Sequence, residues 1–135
     1  MKIRLLSLVV ALLALVACSK PTFNVKVELQ NAEGKMVYLQ KFDNRKSTII
    51  DSVLMQGNVA NFTVEEGNPA TYYSIRVEKV RYPIGFFSEN NDVTIVGDIE
   101  DHSNIQVTAS YAQQLVNEYD KENKKFYDQL RELGK

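Results

Sequence analysis

The stretch Val53-Leu54-Met55-Gln56-Gly57-Asn58-Val59-Ala60-Asn61-Phe62-Thr63-Val64 sets the fold class of this 135-residue chain. Gly57-Asn58 is a two-residue loop of the kind that closes a β-hairpin, here expected as a type II′ turn. That loop fixes a register in which Gln56 faces Val59, Met55 faces Ala60, Leu54 faces Asn61 and Val53 faces Phe62. In it Val53, Met55, Ala60, Phe62 and Val64 share one face and Ser52, Gln56, Asn61 and Thr63 the other, a segregation that a one-residue slip would destroy.

The same period of two extends in both directions. Upstream, Phe23, Val25, Val27 and Leu29 alternate with Asn24, Lys26, Glu28 and Gln30, the pattern of a half-buried strand, and Asn31-Ala32-Glu33-Gly34 supplies turn residues. Met36 to Phe42 has apolar residues on both parities, which fits a strand covered on both sides or one carrying a bulge. Downstream, Gly67-Asn68-Pro69 breaks the pattern before Tyr73, Ile75 and Val77. Pro83 and Gly85 mark a bend or edge ahead of Phe86-Phe87. Asn90-Asn91-Asp92 turns into Val93 to Val96, and a polar loop from Asp98 to Ser103 is expected before a last strand with Ile105 and Val107. Seven or eight short strands without intervening helices predict a mainly β domain, an antiparallel sandwich or partly open barrel spanning residues 23–109.

At Ser110 the period changes. Ser110 and Gln113 form a capping box, and Tyr111, Leu115, Tyr119, Phe126, Leu130 and Leu133 then fall within an arc of about 100° on a helix of about 3.6 residues per turn. Gly134 is the expected stop, giving a C-terminal amphipathic helix over 110–134. Packing against the chain's own sandwich is the expected use of this stripe. The alternative is that Tyr119, Phe126 and Leu130 are exposed for a partner or for self-association.

The first residues give an address. Lys2 and Arg4 precede an apolar run from Leu5 to Ala17, broken only by Ser7. This is a signal-peptide pattern, too short for the roughly 20 residues that cross a bilayer. Leu15-Val16-Ala17-Cys18 resembles the lipobox of bacterial lipoproteins. The resemblance implies cleavage after Ala17, removing residues 1–17, and a diacylglycerol thioether on Cys18, with 18–22 as a lipidated tether. Lipidation would consume the only cysteine of the chain, leaving neither a disulfide nor C-x-x-C redox chemistry in the mature protein. Ser19 in place of an aspartate, and Lys20-Pro21-Thr22 in place of an acidic run, point to the outer membrane facing the periplasm. Loss of Lys2 and Arg4 takes the formal charge from −1 to about −3, which excludes the basic footprint of nucleic-acid binding.

The run from Phe23 to Ser110 contains Val37-Tyr38-Leu39, Phe42-Asp43-Asn44, Asp51-Ser52-Val53, Gly57 with Phe62, and Phe86-Phe87 with Glu89-Asn90. Further along are Val93-Thr94-Ile95-Val96-Gly97-Asp98 and Val107-Thr108-Ala109-Ser110. On these residues it resembles the N-terminal domain, of unknown function, of Bacteroidetes-type lipoproteins that carry a thioredoxin-like thiol:disulfide oxidoreductase domain. The resemblance implies a neighbourhood with envelope redox proteins. In those relatives the redox domain follows the helix. Here the sequence reaches Lys135 without a C-x-x-C, so the activity does not carry over and the chain is expected to be a truncated or split accessory domain if the kinship is functional.

Candidate chemistry is sparse. Asp98, Glu100, Asp101 and His102 form an acidic cluster whose spacing fits neither an EF-hand loop nor a zinc site, and a solvated loop is the expected use. His102 has no nucleophile arranged around it. Asp51-Ser52 interrupts an apolar strand, where the aspartate would cap a turn or pair with a lysine. Of Tyr72, Tyr73, Tyr82, Phe86 and Phe87, most should be core, with Tyr82 the least buried. The expectation is a non-enzymatic binding module with no catalytic set, metal or cofactor. Its partners would be the membrane, through Cys18, and either an envelope redox protein or a second copy.

Overall fold

A computed structural model describes residues 19–135. The expected signal segment and the expected lipidation site at Cys18 lie outside the described residues. Eight strands follow in order, β1 (Thr22–Gln30), β2 (Met36–Asp43), β3 (Lys46–Leu54), β4 (Val59–Glu65), β5 (Tyr72–Val77), β6 (Ile84–Phe87), β7 (Val93–Asp98) and β8 (Asp101–Thr108), and then one helix, α1 (Tyr111–Leu133).

The strands make two four-stranded sheets, in the orders β4-β1-β7-β8 and β3-β2-β5-β6, packed as a sandwich rather than a closed barrel. All ladders are antiparallel except β1 with β7, which run parallel. Alternation dictates the core. Phe23, Val25, Val27 and Leu29 of β1 and Val93 and Ile95 of β7 face Val37 and Leu39 of β2 and Tyr73, Ile75 and Val77 of β5, all buried. Phe23 meets Tyr73 edge-on at 5.8 Å between ring centres, and Tyr73 stacks on Phe86 at 5.7 Å.

The hairpin at Gly57-Asn58 keeps its predicted sidedness and loses its predicted pairing. Gln56 and Val59 exchange both backbone hydrogen bonds, at 3.2 and 3.1 Å. Beyond them the strands part, β3 pairing with β2 and β4 with β1. The cause is competition for the backbone groups around the loop. Met55 N–H donates to the Lys35 carbonyl and Leu29 N–H to the Asn58 carbonyl, drawing one arm to each sheet. Met55, Ala60, Phe62 and Val64 still point inward, with Ser52, Gln56, Asn61 and Thr63 outward, because sidedness follows from the pleat and not from the partner. Gly57 and Asn58 both have positive φ, 58° and 59°, which is a type I′ turn in place of the expected type II′. Asn58 tolerates this conformation while its side chain accepts from Ala32 N–H at 3.1 Å and its own N–H donates to Glu33 at 3.0 Å.

Three smaller expectations change as well. β2 is covered on one side only, with Val37 and Leu39 inward and Met36, Tyr38 and Phe42 half-buried on the outer face; the irregularity is a bulge on β3, where Leu39 pairs with Asp51 but Gln40 with Ile49. Phe42, Tyr72 and Phe87 form an outer aromatic cluster, at 5.4 and 5.0 Å between successive rings, so that only Tyr73 and Phe86 of the five aromatics are core. Tyr82 is the most exposed of the five, as expected, with Tyr72 also at the surface. The polar segment from Asp98 to Ser103 is mostly strand: β8 starts at Asp101 after a tight turn at Ile99-Glu100.

Candidate functional site

The sandwich has two long edges where its sheets meet. One is joined by the Gly57-Asn58 corner between β3 and β4. At the other, β6 and β8 are bridged by the first turns of α1. Ser110 is the N-cap, with its Oγ accepting from Gln113 N–H at 3.1 Å and donating to the Phe87 carbonyl at 2.8 Å. Only half of the expected capping box forms. The Gln113 side chain turns instead to β6, where its Oε1 accepts from Phe87 N–H at 3.0 Å, and its amide donates to Asn117 at 2.9 Å. Asn117 in turn donates to the Val107 carbonyl of β8 at 2.8 Å, and Glu89 accepts from Ala112 N–H at 3.3 Å. Gln113 is the one buried side chain of the helix.

These bonds fix the rotation of α1 about its axis. At about 100° per residue, Gln113 lies about 120° and Asn117 about 160° around the helix from Tyr119, on the side away from the stripe. Pinning them to β6 and β8 turns the stripe away from the sandwich. Tyr119 is 68% exposed, Phe126 56%, Leu130 48% and Leu133 84%. The expected packing of this stripe against its own sandwich does not occur: beyond Asn117 every side chain except the half-buried Asn123 is exposed. An open groove lies between the moored side of α1 and β8, lined by polar side chains including Asn117, Asp120, Lys121 and Gln106.

Local electrostatics hold the outer part of the helix together. Lys125 Nζ donates to Glu122 at 2.7 Å, which holds that carboxyl below its ordinary pKa, and Arg131 lies 3.6 Å from Asp128.

The remaining candidates have structural roles. Asp98 accepts two bonds from Asn31, at 2.8 and 3.0 Å, and one from Glu100 N–H at 2.9 Å. These bonds lower its pKa and tie the β7–β8 turn to the end of β1. Asp101 accepts from Ser103 Oγ at 2.7 Å and from Asn104. His102 lies beside the Tyr82 ring, 6.0 Å between centres. Asp51 accepts from Ser52 N–H at 2.7 Å, at the bulge. Among the described residues no cluster of His, Cys, Asp and Glu is arranged to hold a metal ion, and no helix is long and apolar enough to cross a membrane.

Fold and surface together define a small β-sandwich that projects one amphipathic helix with its apolar side outward. The family model described as a domain of unknown function (DUF4369) matches residues 22–116, most of the chain, and the chain belongs to that family. The match takes in the whole sandwich and the start of α1 as far as Val116, including Ser110 and Gln113 but not Asn117. No curated protein and no solved structure matches the chain.

Proposed function

We propose that this is a lipid-anchored cell-envelope protein that binds and does not catalyse, with Tyr119, Phe126 and Leu130 as its docking face. The observation that carries the reading is the mooring of α1 by Ser110, Gln113 and Asn117, which holds an apolar stripe out to solvent. Such a stripe is costly unless covered, and a helical segment without tertiary support is marginal in water. Both problems disappear when a partner packs on it. The turn and bulge roles of Asp51, Asp98 and Asp101 support a non-enzymatic reading.

The anchor is Cys18. Lys20 pairs with Glu65 at 3.2 Å and the Pro21 carbonyl accepts from Glu66 N–H at 2.9 Å, so Ser19 alone separates Cys18 from residues seated on the sandwich. Two residues span at most about 7 Å, and a lipid there would hold the β1 end of the domain close to the membrane. The location proposed is the outer membrane, facing the periplasm.

The test is photo-crosslinking in intact cells from a photoreactive residue at Leu130, compared with one at Lys124 on the opposite side of the helix. Protein adducts from position 130 and not from 124 are expected. Equal or absent labelling at both would overturn the reading.

A second reading is that the chain is an accessory domain of a thioredoxin-family oxidoreductase, positioning a separate redox domain. The strand and turn residues from Val37 to Ser110 favour it. Its test is the adjacent reading frames: one with a C-x-x-C supports it, and none removes its basis.

A further inference from the structure

The outward stripe has an internal symmetry. Its central members pair about a point between Glu122 and Asn123: Tyr119 with Phe126 and Leu115 with Leu130 are each equidistant from that point in sequence, while at the ends Leu133 falls opposite Ala112 and Tyr111 opposite Gly134. A stripe that reads alike from both ends is complementary to its own copy running in the opposite direction. We infer that the docking face is occupied by the α1 helix of a second copy, packed antiparallel about a twofold axis at Glu122-Asn123. This rests on the docking reading above and names its partner.

In this pairing each Tyr119 ring lies on the second copy's Phe126 and each Leu115 on its Leu130. The flanks agree with it. Glu118, Glu122 and Lys125 lie on one side of the stripe, and the twofold sets each Lys125 between Glu118 and Glu122 of the other copy, about 3 Å along the axis from either. The two Glu122 carboxylates approach each other at the axis, each between two Lys125 ammoniums, one of them its existing 2.7 Å partner. On the other flank Asn123 meets its own copy, a polar pair of the kind that fixes register. A parallel pair instead faces Lys125 with Leu130 and gains no opposite charge.

The area suffices. Four aromatic rings with about 150–250 Å² each to bury, rather more than half of it exposed, contribute roughly 400–600 Å². Six leucines add a similar amount, reaching the roughly 1,000 Å² that a specific interface requires. Gln113 and Asn117, which touch the sandwich, lie on the side of α1 away from the stripe, so the pairing leaves each sandwich on the outer face of its own helix, clear of the interface.

The test uses full-length protein purified in detergent. Sedimentation equilibrium should give a dimer, converted to monomer by Tyr119→Glu or Phe126→Glu at unchanged β-sheet circular dichroism. Mixed Leu115→Cys and Leu130→Cys chains should form a disulfide between 115 and 130 on mild oxidation, with the parent, whose only cysteine is Cys18, as control. A monomer at tens of micromolar, or a disulfide joining two copies of Leu115→Cys, overturns the antiparallel pair. If position 130 labels a different protein in cells while the purified chain is monomeric, the docking reading stands and the second copy is ruled out; no labelling at all defeats both.

Discussion

Gly85 shows how much of this surface is decided by single residues. A Cβ there would sit 1.5 Å from the Tyr72 hydroxyl, because the Tyr72 ring lies across β6 in the cluster with Phe42 and Phe87. Gly85→Ala should push that exposed ring off β6 and cost about 0.5–1.5 kcal/mol, the worth of an aromatic pair, measured as a fall in the urea midpoint. Asn58→Ala should cost about 1–2 kcal/mol, since alanine is strained at φ 59° and leaves Ala32 N–H without its acceptor. Asp98 gives a pH dependence. Its carboxyl is held below the ordinary value by Asn31 and Glu100, so its contribution is present above the unfolded-state pKa and is lost as pH falls through the folded one. Asp98→Asn should therefore destabilise the protein at about pH 7 and make progressively less difference toward about pH 3, read from urea midpoints across that range. Gly85 and Asp98 were visible in the sequence as a bend signal and an acidic cluster. Their roles were not, because each depends on a residue distant in the chain, Tyr72 or Asn31.

At the scale of elements, periodicity was legible and partnership was not. The alternation in β1 and β4 places every inward side chain correctly, since the pleat of one strand determines it. The hairpin from β3 to β4 failed as a pair because backbone groups of Lys35 and Leu29 compete for its arms, and nothing in residues 53–64 encodes those competitors. The parallel match of β1 with β7 is hidden for the same reason. Ser110 was legible as a cap, whereas Gln113 was misread because its backward reach to the serine loses to the Phe87 N–H of β6. Gln113→Ala would leave that N–H unpaired beneath the helix and should cost about 1–3 kcal/mol. It should also loosen the angle of α1, seen as faster amide exchange from Tyr111 to Asn117 as well as at Phe87.

For the whole molecule, the sequence contained the apolar stripe but not its direction. An amphipathic helix following a sandwich is expected to close over it, and Tyr119, Phe126 and Leu130 would then be core. The rotation imposed by Gln113 and Asn117 reverses this, and turns a packing element into a presented surface. A helix so exposed should be stable only to the extent that something covers it: in dilute monomer the amides beyond Asn123 should exchange orders of magnitude faster than those of β1 and β5, and slow when the stripe is occupied. Hydroxyl-radical footprinting of the purified protein at submicromolar concentration tests the outward stripe most directly. Tyr119 and Phe126 should be oxidised rapidly while Tyr73 and Phe86 remain protected; protection of Tyr119 and Phe126 in the monomer would show the stripe folded onto its own sandwich and would contradict the docking surface.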